Sequence, residues 1–129
     1  MVTGDLGYVG SVLVPTLRDK GYEVFGFDIG YFSDCLLCPV SENYERINKD
    51  IRFIDAGDLN GIDGVIHLAG LSNDPAGELR PELTEQINLE ATIRIGKLAR
   101  AAGVKRFIYA SSQSMYGISS STDELDEDL

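Results

Sequence analysis

The sequence predicts an α/β fold, a parallel sheet with helices on both faces. Two observations carry this. Short runs of β-branched and aromatic residues alternate with segments of helical apolar spacing along the chain. A glycine-rich turn, TGDLGYVG from Thr3 to Gly10, lies where the first strand gives way to the first helix.

Each element follows from local pattern. Val2 and Thr3 are the tail of a strand. SVLVPTLRDKG has helical spacing at Val9, Leu13 and Leu17, and Gly21 ends that helix. Pro15 lies inside it and removes one backbone donor, which predicts a kink or a lost bond. Tyr22 to Ile29, YEVFGFDI, reads as a buried strand. From Gly30 to about Tyr44 no period holds, over a stretch longer than a simple connection needs. Glu45 to Arg52 predicts a short strand ending in KDIR, and Phe53 to Leu59 a helical turn or short helix. Gly64 to Gly70, GVIHLAG, has strand length. A loop with Asn73, Asp74, Pro75 and Gly77 comes next. From Pro81 to Gly103 the chain predicts its strongest helix, with Pro81 suited to the first turn and Gly103 to the end. Val104 to Ser112 is a last strand, and an acidic remainder completes the chain. Four or five strands result.

In the long helix, Leu83, Ile87, Ala91, Ile95, Leu98 and Ala102 make an apolar stripe that faces the sheet, while Leu89 and Ile93 lie on another side. Two readings of that second side stand: a wide core-facing stripe, or a second partner.

With 129 residues the chain, 1–129, is one domain by size. No apolar run approaches the roughly 18 residues of a membrane span, and no basic and apolar leader opens the chain, so a cytoplasmic protein without a membrane partner is expected. Eleven Lys and Arg against 21 Asp and Glu give a formal charge of −10, which disfavours nucleic acid as a partner. An anionic ligand must then be held locally, by backbone amides and a helix N-terminus. Cys35 and Cys38 form a C-x-x-C pair, but a four-ligand metal site needs two further residues and His67 is the only histidine. Two loop thiols, no metal, and a structural His67 are the expectation.

Gly4, Gly7 and Gly10 form G-x-x-G-x-x-G between strand and helix. A chain that turns sharply, approaches a pyrophosphate with its backbone and packs its helix on the strand needs residues without a Cβ there. Asp28 ends the second strand 18 residues after Gly10, near the spacing of about 20 at which a carboxylate accepts from an adenosine ribose. An ionised Asp repels a 2′-phosphate, and DIGYF offers no Arg or Lys to bind one. NAD is favoured over NADP.

With these residues, DIR at Asp50 to Arg52, HLAG at His67 to Gly70, the Asn of QINLEAT and YASSQSMYG, the chain resembles the extended short-chain dehydrogenase/reductase family, specifically its nucleotide-sugar epimerases and dehydratases. The resemblance covers nearly the whole chain in order. It implies a Rossmann-type doubly wound parallel sheet, incomplete relative to the full family domain, and a nucleoside-diphosphate sugar as substrate. By resemblance Gly4, Gly7 and Gly10 line the pyrophosphate with Tyr8 and Val9 in the loop, and Asp28 holds the ribose. Asp50 and Ile51 meet the adenine, and Leu68, Ala69 and Gly70 pass under the nicotinamide side. Ser72 lies where the loop nears cofactor and substrate, and Asn88 ties the long helix to neighbouring backbone. Ser112 resembles the catalytic Ser/Thr, with Ser111 and Ser114 as competitors.

The family's acid/base pair, Tyr-x-x-x-Lys, is found at none of Tyr8, Tyr22, Tyr31, Tyr44, Tyr109 or Tyr116. The chain therefore reads as shortened at both ends, and 1–129 on its own is expected to lack epimerase or dehydratase activity and to bind cofactor less tightly. An uncovered Leu89 and Ile93 side predicts a homo-oligomer, a dimer through residues 81–102. Two rivals remain: a reductase or dehydrogenase of the same family acting on another small substrate, and an NAD-binding module without turnover.

Overall fold

A computed structural model describes residues 1–33, 43–72 and 79–112. Five strands form one parallel sheet: β1 (Val2–Thr3), β2 (Gly26–Asp28), β3 (Arg46–Asn48), β4 (Gly64–His67) and β5 (Arg106–Tyr109), in the order β3-β2-β1-β4-β5. This is the expected doubly wound arrangement, with β1 central and the chain moving outward from it first to one side and then to the other.

Helix α1 (Tyr8–Asp19) crosses one face. It runs through Pro15, which lies on the exposed side, without a break. Val2, Val14 and Val24 form the core beneath it, with Leu13, Leu17, Ile66 and Leu68 packed alongside. On the other face a longer helical segment is built from α2 (Pro81–Thr84), a π-helical turn (Glu85–Glu90) and α3 (Ala91–Ala101). The larger core lies there, and joins Phe27, Ile51, Ile54, Leu59 and Val65 to Ala91, Ile95 and Ala99. Successive β4 residues, Val65 and Ile66, enter opposite cores, as the two-residue period of a strand requires.

Several boundaries differ from the pattern. Tyr22 to Phe25 are not strand, because β2 pairs with β1 only from Gly26. The segment expected as a strand to Arg52 stops at Asn48, and the Asp50 carboxylate then caps a 3₁₀ turn, Ile51–Phe53. A second 3₁₀ turn, Gly57–Leu59, is the helical turn expected before Leu59. In the long helix the buried row is Ala91, Ile95 and Ala99, with Ile87 and Leu98 partly covered, whereas Ala102 is exposed. The π-helical turn inserts extra chain at 85–90 and shifts the phase of α3 relative to α2, so a constant 3.6-residue period carried from Leu83 misses Ala99. Leu89 and Ile93, 52% and 47% exposed, are left open by the described residues. Cys35, Cys38, Asn73 to Gly77, Ser114 and the acidic remainder lie outside the described residues.

Ile95 has no exposed surface and sits at the centre of the larger core. Ile95→Ala is expected to cost about 2–5 kcal/mol of unfolding free energy, and Ile93→Ala less than about 1 kcal/mol. Urea unfolding of the two variants beside the parent chain measures both.

Candidate functional site

The turn after β1 is fixed by contacts that exclude a side chain. Gly4 has φ 71°, and a Cβ there would stand 2.8 Å from the Ala69 amide nitrogen. A Cβ on Gly10 would stand 2.3 Å from the Gly4 carbonyl oxygen and 2.6 Å from Asp5 Cα. These obstacles are backbone, which cannot swing away. The start of α1 is thereby held hard against the end of β1. Gly7 is its N-cap, with no side-chain cap and no acidic residue in the first turn. The leading amides of a helix lack partners within it, and an N-terminus so left favours an anion. The exposed Tyr8 and Val9 flank it.

Asp28 ends β2 beside this turn. One carboxylate oxygen accepts from the Leu6 amide at 3.1 Å and the other from the Gly30 amide at 2.8 Å. The carboxylate is thus oriented by backbone on both sides, and each oxygen keeps about one further lone pair for a hydroxyl donor.

Asp50 is more heavily engaged. It accepts from the Arg52 amide at 2.9 Å, from Arg52 Nε at 3.0 and 3.1 Å, and from Nη2 at 2.6 Å. The Arg52 side chain bonded to it holds its carboxyl below the usual carboxylate range. Three donors leave about one of its four lone-pair directions for a further donor. Ile51, beside it, is buried, and Arg52 Nη1 reaches Gln86 Oε1 on the π-helical turn at 3.2 Å.

A chain of hydrogen bonds sets the end of β4. The Thr92 hydroxyl donates to the Asn88 carbonyl at 2.8 Å and so has a lone pair for His67 Nε2–H, at 2.9 Å. His67 Nδ1 then accepts from the Thr3 hydroxyl at 2.6 Å, and Thr3 Oγ1 accepts from the Ala69 amide at 3.2 Å. This order of donors makes His67 a neutral Nε2–H tautomer. It is fully buried, lies near-parallel to the Tyr109 ring with centroids 5.9 Å apart, and burial pushes its pKa down to about 4. No cluster of metal ligands exists among the described residues. Asn88 continues the chain: its Oδ1 accepts from the Leu71 amide at 2.8 Å and its Nδ2 donates to the Leu71 carbonyl at 2.9 Å.

One cavity of about 730 Å³ opens at the C-terminal ends of β1, β2, β4 and β5. It is lined by Gly4, Gly7, Tyr8, Val9, Gly10, Asp28, Asp50, Ile51, Leu68, Ala69, Gly70, Ser72 and Ser112, the residues assigned to cofactor and catalysis from the sequence, with Ser111 beside the last. Sequence reasoning missed Leu6, Tyr31, Phe32, Lys49, Thr92 and Tyr109, which share the cavity. Tyr31 and Phe32 come so soon after Asp28 that proximity alone could have flagged them. Thr92 carries no signal of its own, since its place depends on the π-helical turn. A second hollow of about 680 Å³, at the opposite ends of β2 and β3, holds none of these residues.

A parallel sheet whose central strand turns through glycine into an uncapped helix, with an oriented carboxylate on the next strand, defines a dinucleotide-binding α/β domain. The whole chain, residues 1–129, matches the family model described as the NAD dependent epimerase/dehydratase family. The chain belongs to that family. The UDP-glucose 4-epimerase of Klebsiella pneumoniae is 33% identical over 129 residues, 91% of each chain. The 3 beta-hydroxysteroid dehydrogenase/Delta 5-->4-isomerase of Mycobacterium tuberculosis is 33% identical over 121 residues, 89% of this chain and 32% of that one. Among solved structures, MoeE5 in complex with UDP-glucose and NAD aligns with a TM-score of 0.78 at 31% identity, over 96% of this chain and 40% of that one. The chain thus spans well under half of the last two proteins. No helix among the described residues is long and apolar enough to cross a membrane.

His67 makes the fold acid-sensitive in a definite window. In the unfolded chain it titrates near 6.5, and in the folded chain near 4. Its contribution is complete above about pH 6.5 and is lost as pH falls towards 4, because only the unfolded chain takes up the proton in that interval. A loss on the order of 3 kcal/mol is expected across the window. His67→Gln, less stable at neutral pH, should show a flatter slope there in denaturant melts taken at successive pH values.

Proposed function

We propose that this chain is the cofactor-binding part of an NAD-dependent epimerase or dehydratase that acts on a nucleoside-diphosphate sugar. The observation that carries the reading is the junction of β1 and α1. Backbone approaches at Gly4 and Gly10 place an uncapped helix start beside Asp28, whose carboxylate is already oriented by two amides. An acidic chain can hold a diphosphate there without basic side chains.

When bound, NAD supplies a hydride acceptor, so that a sugar carbinol can be oxidised transiently and the hydride returned. The chain's own residues bind and orient. The Tyr8 to Gly10 amides hold the pyrophosphate, and Asp28 accepts from the adenosine ribose. Asp50 and Ile51 bound the adenine, and Leu68 to Gly70, tied through Asn88, form the floor on the nicotinamide side. Ser72 sits at the cofactor and substrate boundary. Ser112 is the catalytic hydroxyl, able to donate to a sugar oxygen and accept from an acid/base group. These 129 residues hold no Tyr-x-x-x-Lys, and so the chain by itself binds NAD without turnover. The exposed Leu89 and Ile93 suit a homodimer through the long helix, and the setting is cytoplasmic.

The hydroxysteroid dehydrogenase relative favours a second reading, a dehydrogenase of the same family with another substrate. Assay of the polypeptide encoded by the whole reading frame against nucleoside-diphosphate sugars and 3β-hydroxysteroids separates the two. Epimerised or dehydrated sugar nucleotide supports the first, and steroid-dependent NADH the second.

For the chain as it stands, calorimetry is expected to show NAD binding that Asp28→Ala weakens at least tenfold, about 1.4 kcal/mol. NADP should bind more weakly than NAD. A folded chain that ignores NAD, with Asp28→Ala indistinguishable from it, would end the reading.

A further inference from the structure

Asp5 is a carboxylate in the middle of a loop assigned to a diphosphate, and it has no part in holding the cofactor directly. Its side chain is fully buried. Oδ2 accepts from the Tyr44 hydroxyl at 2.6 Å and from Arg46 Nε at 2.6 Å. Arg46 Nη2 bonds the same Tyr44 hydroxyl, and the guanidinium lies 4.8 Å from the centre of the Tyr44 ring. Asp5 Oδ1 has no hydrogen-bond partner among the described residues. The carboxylate therefore reaches from the loop after β1 past β2 to a cation on β3.

Gly26 of β2 makes room for this. A Cβ there would stand 2.3 Å from Asp5 Oδ2 and 2.8 Å from the Tyr44 ring carbon Cε2. Burial first, and the bond to Asp5 second, push the Tyr44 hydroxyl up to about 12. Tyr44 accordingly remains a neutral donor and leaves the counter-charge to Arg46. Buried charges are tolerated only when paired, and removal of one partner leaves the other uncompensated. Here the uncompensated charge would be negative and would belong to the phosphate loop itself.

We propose that Arg46 is a positioning residue for the dinucleotide: it neutralises Asp5, so that a carboxylate can tie the phosphate loop to β3 without repelling the diphosphate. This rests on the NAD reading. The effect is electrostatic, and it acts on ligands that carry phosphate. Loss of Arg46 harms the site because Asp5 is charged, and an uncharged Asp5 removes that harm.

The test is calorimetric titration of the full chain with NAD and with adenosine, which lacks phosphate, alongside thermal melts. Arg46→Met is expected to weaken NAD at least tenfold and adenosine less than about threefold. Arg46→Lys should keep most of the NAD affinity. Asp5→Asn placed in the Arg46→Met background should return NAD to within about threefold of the parent chain. Equal losses of NAD and adenosine, an unaffected Arg46→Met, or a double variant no better than Arg46→Met alone overturns the proposal. If Arg46→Met does not fold, the double variant decides: a folded protein with near-parental NAD affinity supports the proposal, and an unfolded or non-binding one overturns it. A folded parent chain that binds neither ligand removes the cofactor reading and this role with it, an outcome read from the parent alone.

Discussion

The close passage of the Thr3–Gly10 backbone against itself and against the Leu68–Ala69 segment is the constraint on which the rest of the molecule depends. Gly4 meets the Ala69 amide and Gly10 meets Gly4 and Asp5, all at distances no Cβ could share. Because β1 is the central strand, hydrogen-bonded to β2 on one side and β4 on the other, a shift at this crossing would propagate to both neighbours. The same crossing fixes where α1 begins. It thus converts a steric requirement for small residues into a site for negative charge, in a chain whose overall charge of −10 would otherwise oppose one.

The second coupling runs through hydrogen bonds. The Ala69 amide, Thr3, His67, Thr92, the Asn88 carbonyl and the Asn88 side chain on Leu71 form a continuous series in which each donor meets one acceptor. It joins the residue before the glycine turn to the loop after β4 by way of the long helix. A neutral imidazole suits its middle position because it donates at one nitrogen and accepts at the other. An imidazolium would present two donors, and Thr3 Oγ1, already accepting from Ala69, would have to turn its proton away. Burial and tautomer therefore work in the same direction. The π-helical turn supplies the matching backbone, since Asn88 sits in it and Thr92 one turn later.

The parts of this architecture that were legible in the sequence are those set by short-range rules. The glycine turn, the Asp at the end of β2, Gly21 and Gly103 at helix ends, and a count of four or five strands all reflect φ/ψ and periodicity within a few residues of each other. The features that escaped depend on partners far along the chain. Tyr22 to Phe25 have strand composition, yet the ladder there starts only at Gly26 because β1 is short. The π-helical turn breaks the phase between Leu83 and Ala99 with no residue type that marks it. Asp50 reads as an open acceptor until Arg52 is seen folded back on it. Asp5 and Arg46, 41 residues apart, meet only because β3 lies next to β2.

Charge pairing also bears on the proposed preference for NAD over NADP. Two cations near the cavity edge are occupied: Lys49 Nζ lies 2.7 Å from Asp55 and 2.7 Å from Asp58, and Arg52 is held by Asp50. On the proposed placement of the cofactor, a phosphate on the adenosine ribose would meet Asp28 and would have to detach one of these cations from its carboxylates to be compensated. Detachment costs the pair its interaction as well as the new desolvation, so a second phosphate ester is disfavoured twice. The diphosphate faces no such competition, because backbone amides carry no counter-ion to displace. On that placement, the proposed preference for the less charged dinucleotide would rest on cations already committed to neighbouring acids as well as on Asp28.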